Sequence, residues 1–309
     1  MVKTILVTGG NGFIGKNIVE YFRNSATIIA PTHAQLDLLS QEQVSQLFKD
    51  REIDYVIHCA NVGGTRKHPG VDVVEKNVKM FTNLADNARY FDKMIHFGSG
   101  AEYDKRRPLQ EVPETEFGKH IPVDDYGLSK YKISKLIENY ENITCLRLFG
   151  VFGKYEDYEY KFISNAIVKN LYQLPINIIQ NVYFSWLDIN DLIKIISSFL
   201  DRQPTHKVYN VTPNVRTDLI SITELINACS STTSEIIVDN KGLNNEYSGN
   251  NIRLIDYLGQ FTFTTFPQSI TELIHYYQTI ATTIDLDTIK KDTYTQKCVT
   301  VSGNTTQTG

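Results

Sequence analysis

The stretch Thr8-Gly9-Gly10-Asn11-Gly12-Phe13-Ile14-Gly15 decides the fold of this chain. It follows the apolar run Thr4-Ile5-Leu6-Val7 and precedes a segment with helical spacing at 16–22. A strand, a glycine turn and a helix start together hold a phosphate, because the first helical turn offers unpaired N–H groups and the positive end of the helix dipole. Glycine at 9 permits the tight turn, at 12 the close approach of a phosphate, and at 15 close packing of helix on strand. This context predicts a dinucleotide site.

Strand-like apolar runs alternate with helical segments through the first half of the chain. The runs cover residues 26–30, 53–59, 94–97 and 143–148, and helical spacing covers 16–24, 41–50, 72–90 and 127–140. That alternation predicts an α/β fold with a Rossmann-like doubly wound parallel sheet and helices on both faces. Ligands bind such sheets at the carboxyl ends of the strands.

The alternation weakens after residue 150, which predicts a second, smaller unit. We expect a dinucleotide-binding domain from residues 1–155 with 185–215. A smaller C-terminal α/β substrate lobe is expected from 156–184 with 216–284. Residues 285–309 are expected to form a tail, either disordered or accessory, because the end of the chain is rich in Thr, Ser and Gly and has no strong periodicity.

Composition narrows the classes of function. The chain has 309 residues, a formal net charge of −4 and no long Lys/Arg run, which argues against a nucleic-acid-binding surface. Its cysteines are widely spaced without a C-x-x-C pair, so we expect buried thiols in a reducing compartment and no metal site. The first strand begins at once and no apolar run approaches about 18 residues. These features predict a cytoplasmic protein with no signal peptide and no membrane partner.

Two Tyr-x-x-x-Lys pairs, Tyr126 with Lys130 and Tyr131 with Lys135, lie in one helical segment. A helix turns about 140° over five residues, so only one pair can line a given cleft. A phenol beside an ammonium group is a proton donor or acceptor, since the cation lowers the phenol pKa from about 10. Ser99 follows the fourth strand and is placed to orient a substrate carbonyl. The residues alone leave both pairs open.

Several short motifs recur along the chain in a recognisable order. They are TGGNGFIG at 8–15, DL at 37–38, HCANVGG at 58–64, KN at 76–77, GSGAEY at 98–103, YGLSK at 126–130, RLFGVFG at 147–153 and VYNV at 208–211. In order and spacing the chain resembles the extended short-chain dehydrogenase/reductase family, in its nucleotide-sugar epimerase, dehydratase and reductase branch. The resemblance reaches to about residue 283.

The resemblance assigns roles to particular residues. It implies Tyr126 as the acid/base, Lys130 as its electrostatic partner and ribose ligand, and Ser99 as hydrogen-bond donor to the substrate carbonyl. The implied cofactor-binding set is Gly9, Asn11, Gly12, Phe13, Ile14, Gly15, His33, Asp37, Leu38, Ala60, Asn61, Tyr126 and Lys130. Asn77 is expected to brace neighbouring strands. The family also implies a homodimer through the helices at 72–90 and 127–140.

The residues at the end of the second strand bear on the choice between NADP(H) and NAD(H). Sheets that bind NAD usually place Asp or Glu there to bond the ribose hydroxyls. This chain reads Ala30-Pro31-Thr32-His33, with no acid, which leaves room for a 2′-phosphate. The sequence therefore favours NADP(H) and leaves NAD(H) open, with His33 and Asn11 as the groups that would meet the phosphate.

The segment NEYSGNNIRL at 245–254 is similar to the one that closes over the nucleotide in reductases of this branch. Arg253 is expected to bind a diphosphate bidentately. The full set of expected substrate-binding residues is Gly100, Asn165, Lys169 and Arg253.

The sequences THAQLDL and ANVGG are similar to those of 4-keto-6-deoxy-sugar reductases. The bifunctional GDP-fucose-synthase type has a cysteine where this chain has Ala101, and an epimerisation histidine near the place of Lys161. Dehydratases have Asp-Glu where this chain has Gly100 and Ala101, and Glu102, one place further on, is at least as well explained as an exposed or structural acid. We therefore expect an oxidoreductase that reduces the C4 ketone of a nucleotide-activated 4-keto-6-deoxyhexose, with dTDP-4-dehydro-6-deoxyglucose favoured.

Three alternatives stay open at this level. A nucleotide-sugar 4-epimerase with tightly bound NAD would use the same Ser99, Tyr126 and Lys130. An epimerase-reductase of the GDP-fucose-synthase type would add a proton-transfer step. A cofactor-sensing or scaffold protein would keep the fold without the chemistry.

Overall fold

A computed structural model describes residues 2–64 and 70–300 of the chain. Its strands are β1 (Thr4–Thr8), β2 (Thr27–Ile29), β3 (Tyr55–His58), β4 (Lys93–Ser99), β5 (Leu109–Val112), β6 (Ile143–Leu148), β7 (Gly150–Phe152), β8 (Ile176–Asn181), β9 (Tyr183–Phe184), β10 (Trp186–Asp188), β11 (Val208–Val211), β12 (Thr217–Asp218), β13 (Ile236–Leu243) and β14 (Tyr247–Gly249). Its helices are α1 (Phe13–Phe22), α2 (Gln41–Asp50), α3 (Val73–Ala85), α4 (Asp125–Ile137), α5 (Phe162–Leu171), α6 (Ile189–Asp201), α7 (Leu219–Cys229), α8 (Ile252–Leu258), α9 (Phe266–Thr279), α10 (Leu286–Lys291) and α11 (Thr293–Gln296).

Six parallel strands form the central sheet, in the order β11-β6-β4-β3-β1-β2. The chain passes from β1 outward to β2 and then returns across β1 to β3. The strand order therefore reverses beside β1, and a crevice opens there at the carboxyl ends of β1 and β3. Open α/β sheets bind their ligands at such a switch point.

Helices cover both faces of this sheet. On one face α1 and α6 pack through Ile18 and Ile196. On the other face α2, α3 and α4 contribute buried side chains such as Phe48, Phe81 and Ile133. Strands buried on both faces read as continuous apolar runs, which explains the run at the start of the chain. The predicted α/β doubly wound fold is confirmed.

A second core lies outside the sheet, where α5, α7 and α9 pack against β8. Its buried side chains include Ile167, Ile178, Ile222 and Ile274.

Two of the domain assignments predicted from the sequence need correction. Helix α8, expected in the substrate lobe, packs on the central sheet, because Leu254 and Leu258 join the core beneath β11.

The second correction concerns the expected tail. Residues 285–300 fold as α10 and α11 with their flanking turns, and Ile289 and Tyr294 are buried in the lobe core. Burial of these two side chains favours the folded segment, although its composition is typical of a loop. Residues 301–309 lie outside the described residues. Within the described ranges, no helix is long and apolar enough to cross a membrane.

The turn between β1 and α1 depends on two glycines. Gly9 has a φ of +67°, and a Cβ there would lie 2.7 Å from the backbone nitrogen of Ala60. A Cβ on Gly15 would lie 2.2 Å from the carbonyl oxygen of Gly9. At Gly12 a Cβ would meet only that same oxygen, at 3.3 Å. The protein itself therefore requires glycine at 9 and 15, whereas at position 12 a methyl group requires the Gly9 carbonyl to shift by only a few tenths of an ångström.

We expect Gly15→Ala to lower the stability of the protein and Gly12→Ala to lower its affinity for the ligand. G15A forces backbone against backbone and should lower the free energy of unfolding by at least about 2 kcal/mol. G12A should stay within about 1 kcal/mol of the parent, yet weaken binding of NADPH, because the added methyl group stands where a phosphate would approach. Urea unfolding and NADPH fluorescence titration check both. Equal destabilisation by the two substitutions would contradict this account of the turn.

Candidate functional site

The start of α1 is prepared for an anion. Gly12 is its N-cap, no side chain caps it, and its first turn carries no acidic residue. The turn is folded by a hydrogen bond from the Gly12 N–H to the Gly9 carbonyl at 3.0 Å. The first N–H groups of the helix therefore remain available to a ligand, together with the positive end of the helix dipole.

A cleft of about 560 Å³ opens beside this turn. It brings together predicted cofactor residues that are remote in sequence: Gly9, Asn11, Gly12, His33, Asp37, Leu38 and Ala60. Other predicted cofactor residues do not line it. Phe13 and Ile14 pack toward the sheet core, and the amide of Asn61 donates to the carbonyls of Val62 and Gly63. The cleft has the size and lining of a nucleotide site.

Lys76 on α3 also lines this cleft, and the sequence reading did not single it out. Its ammonium group lies 3.6 Å from Asp72. His33, by contrast, is 85% exposed in its side chain and lies 3.9 Å from Asp37. The KN pair at 76–77 contains Lys76, but the sequence analysis predicts a role only for its asparagine. Lys76 thus places a cation in the wall of this cleft.

Ser99, Tyr126 and Lys130 come together at the carboxyl end of β4. Ser99 is its last residue, and α4 carries the other two. The buried Lys130 ammonium donates to the carbonyl oxygen of Phe97 at 2.9 Å, which ties the helix to the strand. A Cβ on Gly127 would lie 2.7 Å from the carbonyl oxygen of Ala101. The small residue after Tyr126 therefore lets α4 pack against the turn that follows Ser99.

Burial sets the protonation states in this group. It raises the pKa of the Tyr126 phenol, and a hydrogen bond with Ser99 offsets part of the rise. It lowers the pKa of Lys130 to about 8, although the nearby Glu102 carboxylate raises it. At neutral pH the phenol keeps its proton while the ammonium is largely charged. The site can therefore donate a proton beside a positive charge.

The other Tyr-x-x-x-Lys pair does not join this group. The Tyr131 ring packs on Phe117, with ring centroids 4.9 Å apart. Lys135 is about half exposed and lies 3.6 Å from Glu138. The rotation of the helix thus turns the second pair away from Ser99.

Tyr247 on β14 is a further neighbour of Ser99, with its hydroxyl 3.2 Å from the Ser99 hydroxyl. Gly100 lies between them and Phe149: a Cβ there would be 2.9 Å from the Tyr247 oxygen and 2.6 Å from the Phe149 ring. In the segment 245–254 the sequence predicts a role for Arg253 and none for Tyr247. Only the fold shows that β14 brings Tyr247 to the end of β4.

The loop after β3 covers Tyr126. Gly64 has a φ of +78°, and a Cβ there would lie 2.4 Å from the Tyr126 ring. Asn77 holds the loop by accepting from the Val62 N–H at 2.7 Å and donating to its carbonyl at 3.0 Å. Asn77 thus has the structural role expected of it, although it braces this loop and not two strands. Residues 65–69 lie outside the described residues.

Glu102 is a fully buried structural acid. Its carboxylate accepts from Arg147 Nε and Nη2 at 2.9 and 2.7 Å, and from the Ser134 hydroxyl at 2.6 Å. It also accepts from the Ser99 N–H at 2.9 Å. The acid that stood one place away from the dehydratase pattern therefore fixes the backbone of Ser99.

A second cavity, of about 370 Å³, has Gly64, the residue that covers Tyr126, in its wall. Its wall includes Glu156 and Lys161. Burial raises the pKa of Glu156 to about 7, and the Ser164 hydroxyl donates to its carboxylate at 2.5 Å. Sequence reasoning missed Glu156, since nothing local shows that its carboxyl group is buried. A group whose pKa lies near neutrality therefore lines this cavity.

The expected substrate residues fare differently. Gly100 lies beside Ser99 as described. Asn165 is buried and donates to the Tyr158 carbonyl at 3.0 Å, and Lys169 is buried with its ammonium 2.7 Å from Asp292. Arg253 lies 3.8 Å from Glu114. None of these last three lines the second cavity, because each side chain is taken up by a partner elsewhere in the fold.

Comparison with known proteins agrees with this geometry. The NAD dependent epimerase/dehydratase family matches residues 5–212, well over half of the chain. The chain belongs to this family. The resemblance drawn from the motifs is thereby confirmed. In the described part of this family member, no group of three or more His, Cys, Asp or Glu residues is placed to hold a metal ion.

Individual relatives are more distant. A GDP-L-fucose synthase of Azorhizobium caulinodans is 27% identical over 55% of this chain and 60% of that protein. A GDP-L-colitose synthase of Yersinia pseudotuberculosis is 26% identical over 53% of this chain and 59% of its own length. The match thus spans about three fifths of these curated relatives. The structure of a GDP-L-fucose synthetase from Naegleria fowleri bound to NADP has a TM-score of 0.78 at 16% identity, covering 91% of this chain and 95% of that one, and shares its fold.

We expect the buried pair of Glu102 and Arg147 to lose more stability when one partner is removed than when both are removed. Glu102→Gln leaves the Arg147 guanidinium uncompensated and should cost roughly 3–5 kcal/mol in unfolding free energy. Adding Arg147→Met to E102Q should recover a large part of that loss. The exposed pair of Lys119 and Glu116, at 2.6 Å, provides the control: Glu116→Gln should cost less than about 1 kcal/mol. Urea unfolding measures these changes in unfolding free energy. A small loss in E102Q alone would contradict the role of Glu102 in holding the Ser99 backbone.

Proposed function

We propose that this protein reduces the C4 ketone of a nucleoside-diphosphate 4-keto-6-deoxyhexose with NAD(P)H. One observation carries the proposal: Ser99, Tyr126 and Lys130 meet at the carboxyl end of the central sheet. The cleft at the glycine turn suits the cofactor. The second cavity, which has Gly64 in its wall, suits the sugar nucleotide. The relatives named for GDP-L-fucose and GDP-L-colitose support this class of substrate.

The residues present fit a dinucleotide. Glycine at 9 and 15 lets the turn close tightly on the backbone, and the uncapped start of α1 offers its N–H groups at this turn. Gly9, Gly12 and the first N–H groups of α1 would hold the pyrophosphate, and Lys130 the ribose beside the nicotinamide. When bound, the nicotinamide group supplies a hydride.

The side chains of the site handle the proton. Tyr126, kept protonated by burial, donates its phenol proton to the C4 oxygen as negative charge develops there. The Ser99 hydroxyl accepts from the Ala101 N–H at 3.2 Å and lies 3.2 Å from the Tyr247 hydroxyl, and it would donate its own proton to the same oxygen. The Lys130 ammonium, held by the Phe97 carbonyl, stabilises the charge left on the tyrosine.

Which nucleotide the sugar substrate carries is a separate question. The sequence favoured dTDP, because two residues of the GDP-fucose enzyme type are missing. The curated relatives are instead named for GDP sugars, and we therefore place GDP first.

Glu156 supports a second candidate, an epimerase-reductase. Epimerisation beside a ketone needs a group that takes up and returns a proton, and a carboxyl with a pKa of about 7 in the cavity wall is suited to this. Under this candidate the sugar is epimerised next to C4 before reduction.

The reductase proposal is tested with Tyr126→Phe against its matched control Tyr131→Phe. Protein, NADPH and GDP-, dTDP- or CDP-4-keto-6-deoxyhexose are mixed in D₂O, oxidation of NADPH is followed, and the product is examined by NMR. Y126F should lose about 10²–10⁴-fold in kcat, whereas Y131F should stay close to the parent. The absence of turnover with every sugar would reject the reductase.

The same spectra separate the two candidates. Deuterium at the carbons next to C4 indicates epimerisation, and its absence indicates simple reduction. NAD that copurifies and is retained without net turnover would instead favour a 4-epimerase.

A further prediction concerns the choice of cofactor. We propose NADP(H), with Lys76 contacting the 2′-phosphate. Lys76→Ala should raise KM for NADPH about fivefold, equivalent to about 1 kcal/mol, and leave KM for NADH unchanged. Lys79→Ala, an exposed position of the same helix outside the cleft, is the control. A parallel rise of both KM values in K76A would contradict a role in phosphate recognition.

A further inference from the structure

The C-terminal segment, defined here as residues 285–300, is attached to the lobe by a buried charge pair. The Lys169 ammonium, on α5, lies 2.7 Å from the Asp292 carboxylate, and these side chains are 3% and 16% exposed. The Asn177 amide donates to the other oxygen of Asp292 at 2.7 Å. If the segment left, the Lys169 ammonium would lose its carboxylate partner, so the pair favours the docked arrangement.

Apolar contacts follow the same path. Ile289 and Tyr294 are buried in the lobe core. The Tyr294 ring packs on Phe162 with centroids 6.1 Å apart. Further along, the Asn244 amide donates to the carbonyl of Val299 at 2.7 Å. The segment is thus held at both its ends.

This docking places the segment in the wall of the second cavity. Tyr294, Cys298 and Val299 line it together with Phe162 and Asn244, the residues that hold the segment. Gly64 belongs to the same wall and covers Tyr126. The C-terminal segment and the glycine that covers Tyr126 therefore lie in the wall of the same cavity.

The lining near the segment suits a nucleobase. Phe162 packs between Tyr294 and Trp186, with ring centroids 6.1 and 6.5 Å away. Aromatic faces stack on any base, and the amides of Asn244 and Asn245 in the same wall can donate to or accept from its edge. Stacking supplies affinity, whereas the amides distinguish one base from another.

We propose that the C-terminal segment is part of the substrate site, where Tyr294 and Cys298 contact the nucleotide portion of the sugar nucleotide and help to select its base. This inference rests on the proposed class of substrate. It gives Lys169 the role of a positioning residue, which acts through Asp292, in place of direct contact with the substrate.

The test uses the thiol of Cys298 as a reporter in the full-length protein. Its alkylation by iodoacetamide is timed by peptide mass spectrometry, with and without saturating GDP, dTDP or UDP. Cys229, a half-exposed thiol on α7 that does not line the cavity, is the matched control. We expect one nucleotide to slow alkylation of Cys298 at least fivefold without affecting Cys229. A nucleotide that binds by equilibrium dialysis but leaves Cys298 unprotected would overturn the inference.

Two variants complete the test. Tyr294→Ala should raise KM for the sugar nucleotide at least fivefold with kcat retained, whereas loss of folded protein would lower the amount of active enzyme and leave KM unchanged. Asp292→Asn should speed alkylation of Cys298 in the absence of nucleotide. An unchanged KM in Y294A would count against the segment.

Failure of this inference and failure of the reductase proposal give different results. Protection of Cys298 by a nucleoside diphosphate without turnover of any ketosugar supports the segment and rejects the reductase. Turnover without protection rejects the segment alone.

Discussion

The site depends on a carboxylate that water never reaches. Glu102 is 0% exposed, and its oxygens accept from the Arg147 guanidinium, from Ser134 on α4 and from the backbone N–H of Ser99. A charge buried so completely is tolerated only when every lone pair is satisfied and a counter-charge is in contact. That requirement fixes β4, α4 and β6 relative to one another. Ser99 and the helix that carries Tyr126 and Lys130 are thereby held in a common frame.

Around this frame the molecule separates two tasks. The glycine turn and the start of α1 offer backbone groups to phosphates, and they require almost no side-chain chemistry. The second cavity is lined by aromatic and polar side chains from the lobe and from the C-terminal segment. Gly64 covers Tyr126 and also lines that second cavity.

Lys169 shows how a charged residue can be misread. Its position in the lobe suggested contact with the substrate. The structure pairs it with Asp292, near the other end of the chain, and the pair attaches a segment that composition presents as a tail. Glu156 shows the converse: an unremarked acid becomes a titrating group because folding buries it next to Ser164. Charge alone therefore did not distinguish ligand contacts from internal anchors.

The sequence by itself determined the α/β class, the parallel sheet, the position of the glycine turn and the short set of candidate catalytic residues. These follow from local periodicity, from glycine's freedom in a tight turn and from residues one helical turn apart, all of which involve neighbours in the chain. Tertiary structure decided which Tyr-x-x-x-Lys pair faces Ser99, which side chains line each cavity, and where residues 285–300 lie. Tyr247, Glu102, Lys76 and Asp292 matter through partners that are distant in sequence. Burial and pairing between such partners are properties of the packed fold, and no local pattern encodes them.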